Sequence, residues 1–353
     1  MRGRARRKPI RLVGRIGLFA FLFLLLLLVA AAGLQLWGNT RYEIASQPGL
    51  LKIPAPTPLL AFKVADPYAP PGRYYRVQLH AHTDRSFDGR ISPAGAAGSY
   101  MKAGYDAIFI TDHDRVTDVK GLSKPGFLVL PGSEDTVSFG TWPLGRHLLR
   151  LGVRRVLRRR KAGDRIQSAA REGGLAAPAH PNWRGNLGTG RWYAGDLLKL
   201  PHFPLLEIAN PHSDDPRDLT LWHLLLARWG PAKPVWGIAV DDSHAGNLEY
   251  GWVWVKAREL SAQALIEALR RGSFYASRGP RAEFGVRNGE IVADSPGADF
   301  IRFIDQEGRV VAVFRASLGA YRPRGDEGFI RVEVEADGRV AYSQPFWLVV
   351  EKR

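Results

Sequence analysis

The chain contains no cysteine, which excludes a disulfide framework, thiolate ligands for a metal and a cysteine nucleophile. No acidic residue precedes Glu43, so nothing in the first segment offsets its cations. Internal repeats are absent, which excludes a solenoid or propeller. The densest basic stretch, Arg146 to Arg171, has no interleaved aromatics and matches no nucleic-acid-binding fold. Nucleic acid is therefore not an expected partner.

What the sequence does contain begins at the N-terminus. Arg2, Arg4, Arg6, Arg7, Lys8, Arg11 and Arg15 precede an uncharged apolar run from Ile16 to Trp37. As a helix that run would be about 33 Å long, enough for a hydrocarbon core. It predicts one transmembrane helix within residues 1–40, with the basic flank cytoplasmic and the remainder outside the cytoplasm. The alternative is a signal peptide cleaved near Ala30-Ala31-Ala32, giving a secreted protein. Residues 41–72 are proline-rich and read as an extended spacer. The formal charge is +16, and the seven basic residues before the apolar run leave +9 for the rest. Read as a helix, Leu149, Val153, Val156 and Leu157 form an apolar stripe among the arginines of 146–171. That stripe suits a soluble helix face, a contact with anionic lipid or a funnel for phosphorylated substrates.

Nine candidate metal ligands follow in order. They are His80 and His82 in LHAHTD, Asp88 in SFDG, His113 in TDHD, Glu134 in PGSED, His147 in GRHLL, His180 in APAHP, and Asp242 with His244 in DDSH. Imidazoles and carboxylates suit zinc, manganese and iron, and nine ligands exceed the needs of one ion. A cluster of two or three divalent metal ions makes a nucleophile from water, so the chemistry expected is hydrolysis. Short apolar runs deliver these residues. Arg76 to Leu79 reads as a strand before His80 and His82, Ala107 to Thr111 before His113, and Phe127 to Leu130 before Glu134. Gly174 to Ala177 leads to His180, Leu205 to Ile208 to Asn210, and Val235 to Val240 to Asp242 and His244. Ser92, as N-cap, and Pro93 open a helix running to Gly104. Ligands at successive strand ends are the layout of a parallel α/β barrel. His202, His212 and His223 fit no such pattern and read as surface or structural residues.

These motifs, from about Tyr74 to about Pro280, resemble those of the PHP superfamily of metallohydrolases, named for polymerase-associated and histidinol-phosphate-phosphatase domains. The resemblance implies an α/β fold, a distorted (β/α)7 TIM-like barrel over residues 73–280, with a two- or three-metal centre. It implies one ion at His80, His82, Glu134 and Asp242, and a second at Asp88, His113 and His244. A third would sit at His147 and His180, with Glu134 bridging. Asp88 stands where some members have histidine, which favours manganese, iron or magnesium more than an all-histidine site would; zinc stays among the expected ions. The motif after the glutamate, DDSH, the YASRGP ending and the C-terminal tail resemble the carbaryl-hydrolase-like branch, some members of which cleave carbamate or carboxyl esters.

Two acids beside ligands, Asp114 and Asp241, are candidates for orienting imidazoles or moving protons. Arg278 in YASRGP is a candidate anion contact, as are Arg184 and Arg191 after His180. Residues 281–353 alternate in short segments broken by turns such as Ala336-Asp337-Gly338, and read as a small β-sandwich-like domain. The function expected is a membrane-anchored, metal-dependent phosphoesterase acting on a small-molecule ester, anionic in this reading. A carboxyl, carbamate or amide ester hydrolase on the same metals is the alternative. A non-catalytic binding domain is the third.

Overall fold

A computed structural model describes residues 10–45, 52–141, 144–157, 161–213 and 216–351. The arginines and lysine at positions 2–8 lie outside this range. Helix α1 (Ile10–Ala45) contains the apolar run, and its stretch Ile16–Gly38 is long and apolar enough to cross a membrane. A signal sequence passes the same test. Most apolar side chains between Ile16 and Trp37 are exposed, Phe19 and Leu26 among them.

The metal-ligand region is mixed α/β. Its elements are β1 (Phe62–Ala65), β2 (Arg73–Gln78), α2 (Pro93–Lys102), β3 (Ala107–Ile110) and β4 (Leu128–Thr141). There follow β5 (Leu144–Leu151), α3 (Ala162–Arg171), β6 (Leu175–Pro178), α4 (Ala194–Leu197), β7 (Leu205–Ala209) and α5 (Pro216–Trp229). Then come β8 (Trp236–Ala239), β9 (Trp252–Ala257), α6 (Ala262–Arg271) and β10 (Phe274–Ser277). Helix α2 starts as its sequence predicts: the Ser92 hydroxyl accepts from the Gly95 N–H at 3.0 Å, with Pro93 in the first turn. The inner faces of β2, β3, β5, β6, β7 and β8 supply Val77, Phe109, Leu149, Ala177, Leu205 and Ile238 to one buried core. That core fixes the strands whose ends carry the candidate site.

Strands β2, β3 and β4 are parallel, as are β7 and β8. The expected closed TIM-like barrel is not what the described strands form. Strand β5 returns antiparallel between β4 and β6, β9 lies antiparallel to β2, and the β7–β8 ladder stands apart from the main sheet. The large sheet is therefore mixed and open. Its C-terminal strand ends are still drawn towards β8. Ala81 bridges Ser243, the His82 N–H donates to Ser243 O at 2.9 Å, and the Asp242 N–H donates to His80 O at 3.1 Å.

The basic stretch also departs from expectation. Its first part, Leu144–Leu151, is strand β5, and the helix begins only at Ala162. Arg150, in the middle of the supposed amphipathic face, is fully buried against Asp135 of β4. A buried ion pair across a hairpin leaves no trace in helical periodicity. Residues 158–160 of that stretch lie outside the described range.

The remaining strands are β11 (Glu283–Arg287), β12 (Glu290–Asp294), β13 (Phe300–Asp305), β14 (Val310–Phe314) and β15 (Leu318–Tyr321). They are followed by β16 (Phe329–Ala336), β17 (Arg339–Tyr342) and β18 (Phe346–Val350). The main sheet runs β1-β18-β16-β17-β10-β9-β2-β3-β4-β5-β6, with β13 beside β16 and β14 beyond it. Strand β17 thus pairs directly with β10, across residue 280. Within the proline-rich stretch, Phe62–Ala65 pairs antiparallel with β18.

His223 of α5 ties this region to the rest. Its Nε2 sits 2.9 Å from the Gln306 carbonyl, and Arg331 Nε donates to its Nδ1 at 3.1 Å. Burial, then the Arg331 charge, pushes its pKa down to about 4. An unfolded histidine titrates near ~6.5. Above that pH the residue is neutral in both states and its contribution is intact. As pH falls towards 4, the unfolded chain gains a proton that the folded chain lacks, and stability drops by up to roughly 3 kcal/mol. Replacing His223 with Gln should flatten that part of the pH dependence. Denaturant midpoints of the two proteins at neutral and acid pH test this, and parallel losses would contradict it.

Candidate metal centre

All nine ligand candidates converge. His80, His82 and Asp88 follow β2, His113 follows β3, His180 follows β6, and Asp242 with His244 follows β8. Glu134 and His147 lie within β4 and β5, because β4 continues past the expected strand end to Thr141. Period-two alternation on β4 turns Glu134 inwards while Asp135 faces the other side. Glu134 Oε2 lies 3.2 Å from His80 Nε2, His82 Nε2 and His113 Nδ1. Its Oε1 lies 3.0 Å from His147 Nδ1 and 2.9 Å from His180 Nε2. One carboxylate therefore faces five imidazoles. Asp242 Oδ1 approaches His80 at 3.1 Å and His82 at 3.2 Å, while Asp88 Oδ2 approaches His113 at 3.2 Å and His244 at 3.3 Å. Ligand atoms of His80, His82, Glu134 and Asp242 form one tight group, and those of His82, Asp88, His113 and His244 another. A third group is His113, Glu134 and His147.

The donor chemistry fits cations. His80 Nδ1 is 2.7 Å from Glu207 Oε1, so in the neutral ring its Nε2 carries a lone pair. That Nε2 lies 3.0 Å from His82 Nε2, whose own Nδ1 is 3.1 Å from Ser86 Oγ. When both rings are neutral with the proton on Nδ1, two lone pairs and two carboxylate oxygens point at one another, which is repulsive unless positive charge lies among them. Buried polar atoms with no hydrogen bond among the described residues include Asp88 Oδ1 and His180 Nδ1. The titration behaviour agrees. Burial disfavours a charged His82, but hydrogen bonds to Asp242 and Glu134 outweigh it and raise the pKa to about 9. For Glu134 and Asp242 burial acts upwards, yet the surrounding imidazoles hold both carboxyls well below the ordinary range. The group attracts positive charge from whatever source supplies it.

Backbone strain concentrates here. His180 and Asp242 adopt φ of 28° and 47°, and Asp114, Asn186 and Leu187 lie at 48°, 51° and 53°. Left-handed backbone is uncommon for such residues and is characteristic of functional sites.

Several contributors were not legible in the sequence. Glu207 accepts from the His180 N–H at 2.5 Å and from Asn210 Nδ2 at 2.8 Å, besides contacting His80. Asn210 in turn donates to Asp242 Oδ2 at 3.0 Å. The available signal was a carboxylate inside the apolar strand LLEIA. Ser86 accepts from the His113 N–H at 2.8 Å, fixing a second ligand. His212, read as surface or structural, lies at the cavity with its Nε2 3.3 Å from the Asp242 carbonyl and 3.9 Å from its Oδ2.

The cavity has a volume of about 310 Å³ and is lined by seven of the nine ligands with Phe87, Trp183, Asn186 and His212. His80 and His82 lie buried beneath it. Asp114, Asp241 and Arg278 are not among the lining residues. Asp241 accepts from the Tyr250 and Gly251 N–H groups at 2.8 and 3.1 Å, bracing the turn before β9. Asp114 accepts from the Thr136 N–H at 3.0 Å. The Arg278 guanidinium lies 4.2 Å from the Tyr250 ring centre. Arg191 is buried and Arg184 exposed, and neither lines the cavity.

No family model and no curated protein matches this sequence. Among solved structures, it is similar to a two-domain protein from Bacteroides vulgatus containing a predicted PHP-like metal-dependent phosphoesterase. That likeness has 17% identity, covers 83% of this chain and 100% of that one, and has a TM-score of 0.46. It is also similar to a lesion-specific endonuclease, endonuclease Q, from Pyrococcus furiosus. There the identity is 12%, 56% of each chain is covered, and the TM-score is 0.39.

Proposed function

We propose that this chain is a metal-dependent hydrolase of the PHP type, a phosphoesterase held at the membrane by α1 and facing away from the cytoplasm. The observation that carries this reading is the Glu134 carboxylate set among five imidazoles, with Asp88 and Asp242 closing the group on either side. Its residues suit two or three divalent ions, with manganese, iron, zinc and magnesium as candidates. When bound, such ions supply a water acidic enough to attack at neutral pH and neutralise charge developing on the substrate.

The protein's own part is positional. Glu207 holds the His80 ring with Nε2 turned towards the group, and Ser86 does the same for His82. Asn210 fixes the Asp242 carboxylate. Phe87 and Trp183 narrow the cavity and limit water, which strengthens electrostatic interactions inside it. Asn186 and His212 are the polar side chains outside the ligand set that are placed to contact a substrate oxygen. Asp114 and Asp241 act through the backbone they hold, as positioning residues, and Arg278 acts at a distance from the cavity.

A second reading, hydrolysis of carboxyl, carbamate or amide esters, is favoured by one observation. Among the described residues no arginine or lysine lines the cavity, so its described lining does not demand an anion. The deciding experiment uses the full chain in detergent with manganese, zinc or iron, and His82→Ala as the blank. Chromogenic phosphate monoesters, phosphate diesters, carboxyl esters and carbamates are offered side by side. Metal-dependent phosphate-ester cleavage is expected. Cleavage of carbon esters alone would replace the first reading with the second. Metal binding without turnover on any of them would reduce the domain to a binding role.

A further inference from the structure

The loop between β6 and α4 touches two things at once. On one side Trp183 and Asn186 wall the cavity. On the other, the Tyr193 hydroxyl lies 3.3 Å from the carbonyl of Gly38, the last residue of the apolar stretch of α1. The approach is close: a Cβ on Gly38 would lie 2.3 Å from the Gly188 carbonyl oxygen. Gly188 itself sits at φ +78°, where a side chain is strained. The cavity wall is thus fastened to the point where a membrane-spanning helix leaves the bilayer.

The cavity mouth has matching chemistry. Phe87, at the cavity, is 61% exposed, and Leu187, beside Asn186, is 38% exposed. The same two loops carry exposed Arg85, Arg90 and Arg184. Apolar side chains mixed with arginines, next to a Trp37 that is 48% exposed at the helix end, are the composition of a surface resting in lipid headgroups. A cavity of about 310 Å³ admits a headgroup and leaves acyl chains outside.

We infer that the substrate is a phosphate ester borne by a lipid, presented from the bilayer to a cavity held at its surface by the docking of α1 on the 183–193 loop. This rests on the hydrolase reading above. In the reaction a water oxygen bonds to phosphorus and the P–O bond to the lipid alcohol breaks. The proton released from water ends on the departing alkoxide, giving the lipid alcohol and the phosphate product.

The test uses the full chain, manganese-loaded, reconstituted in phosphatidylcholine vesicles containing phosphatidic acid or phosphatidylglycerol. Glycerol 3-phosphate and glycerophosphoglycerol serve as the soluble counterparts. The bilayer-borne ester should be hydrolysed at least ~10-fold faster in kcat/KM. Arg184→Glu and Trp37→Asp, at exposed positions away from the cavity lining, should each lower that preference while leaving hydrolysis of the soluble ester unchanged. Because the chain lacks cysteine, Leu187→Cys gives a single spin-label site. Its depth should fall in the headgroup region, whereas a label at exposed Val310 on outlying β14 should be fully aqueous. Equal rates on the two ester forms, or an aqueous label at 187, would overturn the inference and leave the hydrolase standing. No hydrolysis of either form by protein that holds its metal would overturn the phosphoesterase reading and the inference with it.

Discussion

Glu134→Ala should lower turnover by at least ~10³-fold and leave fewer ions bound per chain. The reason is geometric. Both carboxylate oxygens are shared, Oε1 between His147 and His180 and Oε2 among His80, His82 and His113. Among the described residues no other carboxylate makes ion pairs with both sets, so its removal disconnects the two halves of the group. It also deletes a negative charge that offsets the mutual repulsion of several cations. Metal content by mass spectrometry and kcat on the best substrate should fall together. Near-normal turnover, or full metal content, would end the bridging assignment.

The neighbouring residue gives the second large effect, of a different kind. Asp135 points away from the cavity, fully buried, and pairs with both Arg150 and Arg165. Ser133 Oγ donates to its Oδ1 at 2.6 Å, and Arg150 Nη2 also donates to the Arg155 carbonyl at 2.9 Å. Asp135→Ala would remove the close anion from two buried guanidinium groups, leaving the longer contacts of Arg150 to Glu172 at 4.0 Å and of Arg165 to Asp114 at 3.6 Å. Breaking a buried pair in this way costs about 3–5 kcal/mol, because the stranded charge is not rehydrated. The measurement is the urea midpoint of the variant against the parent. Adding Arg150→Met to it should recover part of the loss, since the double change removes charge on both sides. A midpoint within error of the parent would show that the pair is not what holds the β4–β5 hairpin.

These two residues also show where the sequence was legible. Glu134 could be found because a short apolar run ends just before it, and the same signal located His80, His82, His113, His180, Asp242 and His244. Strands with all faces buried leave such runs, and the observed β3, β6, β7 and β8 match them closely. Strand β5 was hidden because its buried Arg150 looks like a polar helix position until Asp135 is seen opposite. Glu207 and His212 were hidden because their roles depend on contacts between distant segments. The closed barrel was expected from parallel strand spacing alone. Spacing carries no information about the antiparallel return of β5 or the separation of the β7–β8 ladder.

The pairing of β17 with β10 has a consequence for how this protein can be divided. The ladder that supports the ligand-bearing strands continues without interruption into the C-terminal segment, and β18 reaches back to capture β1 ahead of the first ligands. Cutting the chain near residue 280 would therefore bare the hydrogen-bonding edge of β10 and release β1. A bared edge of that kind invites pairing with another copy. The last seventy or so residues behave as a seam rather than an appendage. Shuffling them among relatives would require exchanging the strand partner together with them.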